Sequence, residues 1–315
     1  MLERRLVVPA LMLVAVLASS CRGTGLEPRE GYVDVTGGRI WYRIIGSGNR
    51  TPLLLLHGGP GAPSYYLNPL AKLADERPVI FYDQLGAGRS DRPTQTDLWR
   101  IERFVQELAQ LRTALGLQEV HILGHSWGTM LAADYMLTKP EGVRSLVLAS
   151  PALSVSRWLR DAEALKRTLP ESVQAQIVKH ESAGTFDSPE YQAAVMEYYK
   201  RFLCLRDPWP DDVNKTFAEW SQSVYTTMWG PSEFTGTGSL RTYERAEQMH
   251  ELTLPVLFTA GRYDEATPST VEYYRSLVPG ARLQIFEHSA HFTMQDEPDA
   301  YVQAVREFLR EVEER

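Results

Sequence analysis

Gly124-His125-Ser126-Trp127-Gly128 is the stretch on which the fold turns. An apolar run of strand length, Val120–Leu123, precedes it, and a helix-forming segment, Thr129–Leu137, follows until Pro140 stops it. A G-x-S-x-G sequence in that setting is what a sharp strand-to-helix turn requires. Small residues must flank the serine, and the strained turn lifts its hydroxyl clear of the sheet. The helix starting beside Ser126 aims backbone N–H groups at whatever reacts there. The five residues alone arise by chance fairly often; the strand before and the helix after give them meaning.

Outward from this turn the same alternation continues. Leu53–Leu56 and Val79–Tyr82 are apolar runs of strand length that end in Gly-rich loops. Trp99–Leu115 has helical periodicity, with Ile101, Val105, Leu108, Leu111 and Leu115 on one side. Val143–Ala149 reads as a further strand, and Pro151 marks a change. From Ala152 to Met249 the strand signal fades into a region rich in Trp, Tyr, Glu and Lys, with helices such as Tyr191–Leu205. Strands resume at Pro255–Thr259 and Leu283–Phe286, and a last helix fills Pro298–Glu313. The expectation is an α/β-hydrolase fold, a mainly parallel sheet with a helical cap insertion. Residues 31–151 and 250–315 form the core, and residues 152–249 form a cap over the strand ends where such sheets place their sites.

The composition, 43% hydrophobic and 23% charged over 315 residues, is that of a soluble enzyme. A net charge of −7 offers no basic footprint, so nucleic acid is not an expected partner. Neither HExxH nor paired CxxC occurs, and no cofactor or metal is implied. Arg4 and Arg5 precede the apolar run Leu6–Leu17, followed by Ala18-Ser19-Ser20-Cys21. A short positive segment, a short apolar stretch and small residues describe an export signal over 1–20; the alternatives are a mis-assigned start or a retained anchor. Small residues leading into a cysteine fit a lipoprotein signal with Cys21 lipidated, although Ala18 stands where a larger aliphatic residue is usual. Residues 21–30 then read as a tether, and the chain as an exported, membrane-anchored lipoprotein, periplasmic or on the cell surface. Cys204, the only other cysteine, would be left without an intrachain partner.

A serine hydroxyl needs a base, and the base needs an orienting carboxylate. In this fold they follow in the order Ser, acid, His. Asp264, in Gly261-Arg262-Tyr263-Asp264, and His291, in Ser289-Ala290-His291, each follow a predicted strand and fall at the same end of the sheet as Ser126. Position alone leaves Asp264 open as a turn residue and His288 open as the base. His57-Gly58-Gly59-Pro60-Gly61 follows the strand Leu53–Leu56. The N–H of Gly58 or Gly59, with that of Trp127, supplies the two halves of an oxyanion hole. His57 reads as a loop-organising histidine, and a phosphate-binding loop is disfavoured because neither G-x-G-x-x-G nor a P-loop lysine is present.

These motifs, with Asp83-Gln84-Leu85-Gly86-Ala87-Gly88-Arg89-Ser90, Trp229-Gly230-Pro231-Ser232-Glu233-Phe234 and Gly261–Pro268, resemble the proline iminopeptidase family of serine peptidases, most closely its branch with the tricorn-interacting aminopeptidases. The resemblance runs from about Gly31 to the C-terminus, cap included. It implies Ser126, Asp264 and His291 as the triad, His291 rather than His288, and a serine aminopeptidase acting through an acyl-enzyme. The substrates it implies are short peptides, often with N-terminal proline, or amino-acid amides. It further implies Glu233 and Glu265 as the pair that reads the substrate's free ammonium. Carboxylates in a desolvated pocket give charge-assisted hydrogen bonds and penalise a missing amine. Trp209, Tyr225, Trp229 and Phe234 either line a proline pocket or form the core of the cap. Two rival readings stand beside this one. An esterase or other small-molecule hydrolase on the same scaffold has no need of two acids. A non-catalytic peptide-binding lipoprotein has no need of a triad.

Overall fold

Four-residue runs buried on every side chain can only be inner strands of a sheet covered on both faces. Leu53–Leu56 (β3) and Val79–Tyr82 (β4) are such runs. The computed structural model describes residues 26–315. The segment expected to be an export signal, 1–20, with Cys21 and the expected tether up to residue 25, lies outside the described residues. Among the described residues, eight strands form one sheet in the order β1-β2-β4-β3-β5-β6-β7-β8. The remaining strands are β1 Arg29–Val35, β2 Gly38–Ile45, β5 Val120–His125, β6 Val143–Ala149, β7 Val256–Gly261 and β8 Arg282–Phe286. Pairing is antiparallel at β1–β2 and β2–β4 and parallel from β4 to β8.

The strand that leads into the turn is central. β5 lies between β3 and β6, with Gly124 opposite Leu56 on one side and Leu148 on the other. Helices cover both faces. On one, α1 (Ile101–Leu115) buries Phe104, Leu108 and Leu111 and ends at Gly116, whose φ of 68° gives the left-handed cap. α2 (Trp127–Leu137) starts at the residue after Ser126, earlier than the sequence suggested; Gly128 lowers helix propensity there, and close packing on β3 overrides it.

Between β6 and β7 runs the cap: α3 Val155–Lys166, α4 Glu171–Ala183, α5 Pro189–Phe202, α6 Asp211–Ala218 and α7 Gln222–Met228. It has its own small core around Ile177, Tyr191, Tyr198 and Phe202. After β7 comes α8 (Pro268–Ser276), and the chain closes with α9 (Pro298–Glu313). α9 buries Tyr301, Val305, Phe308, Leu309 and Val312 against the second face.

One boundary moves. Arg29 and Glu30, read as tether, pair with Ile44 and Arg43 in the β1–β2 hairpin, and Trp41 Nε1 donates to Glu30 Oε1 at 2.8 Å. β1 is an edge strand with mostly exposed side chains, so it lacks the apolar signal that marks β3 and β4.

The elbow has no spare room. A Cβ at Gly128 would stand 2.2 Å from the carbonyl oxygen of Leu56, a backbone atom that cannot swing away. Gly128→Ala is therefore expected to push α2 off β3 and lower stability by about 1–3 kcal/mol. Urea unfolding should show a lower midpoint at an unchanged slope. A wild-type midpoint would mean that α2 is not seated this closely.

Candidate active site

Ser126 sits between β5 and α2 at φ 54°, ψ −120°, a backbone state that side-chain-bearing residues rarely adopt. Its N–H donates to Ala149 O at 3.0 Å and its carbonyl accepts from Thr129 N at 2.8 Å, so both neighbours hold the strained turn. Asp264 and His291 follow β7 and β8 at the same end of the sheet. Asp264 Oδ1 lies 2.7 Å from His291 Nδ1 and also accepts from Ala266 N at 2.8 Å. A carboxylate only accepts, so Nδ1 carries the hydrogen and Nε2 is left with a lone pair. His288 is exposed, its N–H bound to Glu297, and does not approach Asp264.

Ser126 and His291 line one narrow cavity together with Gly58, Gly59, Glu233 and Glu265. A second lobe, which also reaches Ser126, is walled by Pro60, Met130, Trp158, Trp229 and Leu240. Of the two glycines expected to supply an oxyanion donor, Gly58 is already engaged: its N–H donates to Tyr66 Oη at 2.7 Å. The Gly59 N–H has no acceptor among the described residues. The Trp127 N–H opens α2, where a helix has no acceptor of its own. Gly59 and Trp127 thus hold the free donors beside Ser126.

His57 is buried, and burial pushes its pKa down to about 4. Its Nε2 accepts from Gln84 N at 2.9 Å and its Nδ1 faces Gly58 O at 3.0 Å, so it clamps the glycine loop. Gln84 continues the brace by accepting from Trp127 Nε1 at 2.8 Å. Asp83 accepts from Ser64 and Arg89, which fixes the rest of the Asp83–Ser90 loop.

The two acids sit inside the first lobe. Glu233 Oε1 accepts from Tyr225 Oη at 2.6 Å. Glu265 is 2% exposed, its Oε1 is 3.8 Å from His291 Nε2, and its Oε2 has no hydrogen-bond partner among the described residues. Burial pushes both carboxyls up, and the charges of Glu233 and Asp264 push Glu265 further. Both groups therefore favour a proton, or a bound cation, over standing charged and alone.

The four aromatic candidates separate. Trp229 walls the second lobe and Tyr225 holds Glu233, whereas Trp209 packs on Phe217 and Phe234 packs on Tyr198 within the cap. The cavity also has walls to which the sequence assigned no role: Tyr66, His125, Trp158 and Trp220. Only His125 lay inside a recognised motif, at its variable position. Among the described residues no group of three or more His, Cys, Asp or Glu is placed to hold a metal ion.

Chemically this is an acyl-transfer arrangement: a raised hydroxyl, an oriented imidazole, two free N–H donors and a buried acidic lobe. Residues 51–298 match the α/β hydrolase fold family. A proline iminopeptidase of Heyndrickxia coagulans is 48% identical over 285 residues, covering 90% of this chain and 99% of that protein. One from Saccharolobus solfataricus is 36% identical, covering 92% of this chain and 95% of that protein. The crystal structure of the Mycobacterium smegmatis proline iminopeptidase superposes with a TM-score of 0.83 at 34% identity, covering 90% of this chain and 98% of that one.

Replacing the hydroxyl tests the arrangement directly. Ser126→Ala is expected to lower kcat by roughly 10⁴-fold or more with the fold intact. A serine-directed phosphonate should label the wild type alone, read by intact-protein mass spectrometry. Full labelling of the variant would place the nucleophile elsewhere.

Proposed function

The chain belongs to the proline iminopeptidase family of α/β hydrolases, and we propose that it is a serine aminopeptidase releasing an N-terminal residue, proline among them, from short peptides or amino-acid amides. The observation that carries the substrate class is the unpartnered Oε2 of Glu265, buried in a lobe that Glu233 shares. A buried carboxylate oxygen without a donor is costly, and a substrate ammonium supplies both the donor and the opposite charge. An ester substrate would leave two acids desolvated to no purpose. A protein that only bound peptides would have no use for the strained serine or the His291–Asp264 pair.

In the proposed reaction His291 Nε2 takes the proton of Ser126 as Oγ attacks the carbonyl of the first residue. The N–H groups of Gly59 and Trp127 hold the resulting oxyanion. The tetrahedral adduct collapses, the C–N bond breaks, and His291 returns the proton to the departing amine. Water, deprotonated by His291, then attacks the acyl-enzyme; the free amino acid leaves and Ser126 regains its proton. Glu233 and Glu265 hold the α-ammonium throughout, so the carbonyl one bond beyond that amine's carbon is the one presented to Ser126.

We further propose that the chain is an exported lipoprotein anchored through Cys21. Its support is the sequence alone, Arg4–Cys21.

Two measurements test these readings. N-acetylation of a good substrate should remove the grip of the acids, a loss of roughly 1.5–3 kcal/mol or about ten- to more than a hundredfold in kcat/KM. Glu233→Gln should lose a comparable factor toward free-amine substrates and far less toward a small acyl ester. If the ratio of amine-bearing to amine-free rates does not move, the amine is read elsewhere and the esterase reading is the better one. For export, mass spectrometry of the protein from its native host should find neither residues 1–20 nor a free Cys21. An intact Met1 terminus would refute the signal, and a cut without lipid would refute the anchor.

A further inference from the structure

We propose that Tyr66 is a positioning residue that ties the oxyanion loop and the His291 loop to the nucleophile elbow through one directed chain of hydrogen bonds. The proposal rests on the acyl-transfer reading of Ser126 and His291.

The chain has three links. Gly58 N–H meets Tyr66 Oη at 2.7 Å, Tyr66 Oη meets His125 Nδ1 at 2.8 Å, and His125 Nε2 meets the carbonyl oxygen of His291 at 2.9 Å. Its direction follows from the far end. A carbonyl only accepts, so His125 Nε2 carries the hydrogen. His125 is fully buried, and burial keeps its pKa well below the ordinary value, so the ring is neutral and holds that hydrogen alone. Nδ1 must then accept, Tyr66 must donate to it, and the Tyr66 oxygen is free to accept from Gly58. Every donor meets an acceptor, and no second assignment does so.

Tyr66 is itself held from several sides. Its N–H donates to Thr216 Oγ1 in α6 of the cap at 3.2 Å, and its carbonyl accepts from Gln295 Nε2 at 2.6 Å. Its ring stacks on Phe292 with centroids 4.6 Å apart. The hydroxyl is thus presented by the cap and by the segment that follows the base.

The chain runs beside the reacting atoms. A Cβ built on Gly58 would lie 3.0 Å from Ser126 Cβ, 3.2 Å from His125 Nδ1 and 3.2 Å from Tyr66 Oη. Tyr66 holds the N–H of Gly58 while His57 holds its carbonyl, so both peptide planes flanking Gly58 are pinned. In a trans peptide the N–H points opposite to the carbonyl. Pinning the Gly58 carbonyl toward His57 therefore aims the Gly59 N–H the other way, as an oxyanion donor. At the other end, the bond from His125 ties the His291 carbonyl, which also accepts from Ser150 Oγ at 3.1 Å, to the residue before Ser126. One tyrosine hydroxyl sets donor and base against a common nucleophile.

The test is Tyr66→Phe, which keeps the ring and its stacking and removes only the hydroxyl. kcat is expected to fall roughly five- to hundredfold, by the cost of leaving buried partners unsatisfied, with KM within about twofold of wild type. The factor should be the same for an aminoacyl anilide and for an amine-free ester, unlike the loss in Glu233→Gln. Two further variants separate the links. His125→Gln retains a donor for the His291 carbonyl but breaks the link to Tyr66, and His125→Asn does the reverse; each should lower kcat. Because Tyr66→Phe and His125→Gln cut the same link, the double variant should lose no more than the worse single one. A wild-type kcat in Tyr66→Phe, a loss confined to KM, or multiplied losses in the double variant would each overturn the proposal. Full loss in Ser126→Ala alongside any of these would leave the nucleophile assignment standing.

Discussion

The left-handed backbone at Ser126 is the constraint on which the rest of the structure depends. Such a conformation costs of order 1–3 kcal/mol and persists only where its surroundings over-determine it. Here they do. Ala149 O anchors the Ser126 amide from the neighbouring strand, Thr129 closes the first turn of α2, and Gly124 and Gly128 let that turn sit against β3. Relaxing the turn would turn the hydroxyl away from the cavity and the Trp127 amide away from the oxyanion. The serine hydroxyl and the Trp127 amide are thus on adjacent residues placed by a single bend, and the sheet order sets Asp264 and His291 after β7 and β8, beyond the intervening β6.

A second constraint is electrostatic. Glu265 follows directly after Asp264 in the chain, so the carboxylate that meets His291 and one that faces the cavity share a loop. Burial raises the proton affinity of Glu265, and the two nearby acids raise it further. The cavity is in this way arranged for a cation before any arrives, and that arrangement opposes the stability of the empty protein. Glu265 Oε1 lies 3.8 Å from His291 Nε2, so this acid and the base share one lobe of the cavity.

How much of this the sequence disclosed depended on what kind of signal each part leaves. β3 and β4 coincide with apolar runs because strands covered on both faces must be apolar throughout, and β6 does so over its buried end, Leu146–Ala149. The helix over Pro298–Glu313 coincides because its stripe is wide and its proline opens it. β1 left little trace, since an exposed edge strand such as Arg29–Val35 has no apolar run to show. Among site residues, Ser126, Asp264 and His291 were legible through motif and strand order, while the choice between His291 and His288 required the family pattern. Tyr66 belongs to a 3₁₀ segment, and Trp158 and Trp220 to the cap, where an aromatic residue for the core looks the same as one for the cavity. The glycine that keeps its amide free was likewise hidden: Gly58 and Gly59 are chemically identical in sequence, and only the hydroxyl of Tyr66 tells them apart.

The cap is more than a cover placed over a finished site. The N–H of His291 donates to Phe202 O and that of Phe292 to Leu203 O, both at the end of α5. Asp296 accepts from Leu205 N on the cap side and from Ala290 N on the base side, each at 2.9 Å. The backbone of the base loop is therefore bonded to the cap as firmly as to the sheet. Glu233 reaches the cavity from the same insertion, held by Tyr225 of α7. Displacing the cap would carry Glu233 away from the cavity and would loosen the loop of His291 together with it. Glu233 and the loop that carries His291 thus share one mechanical support.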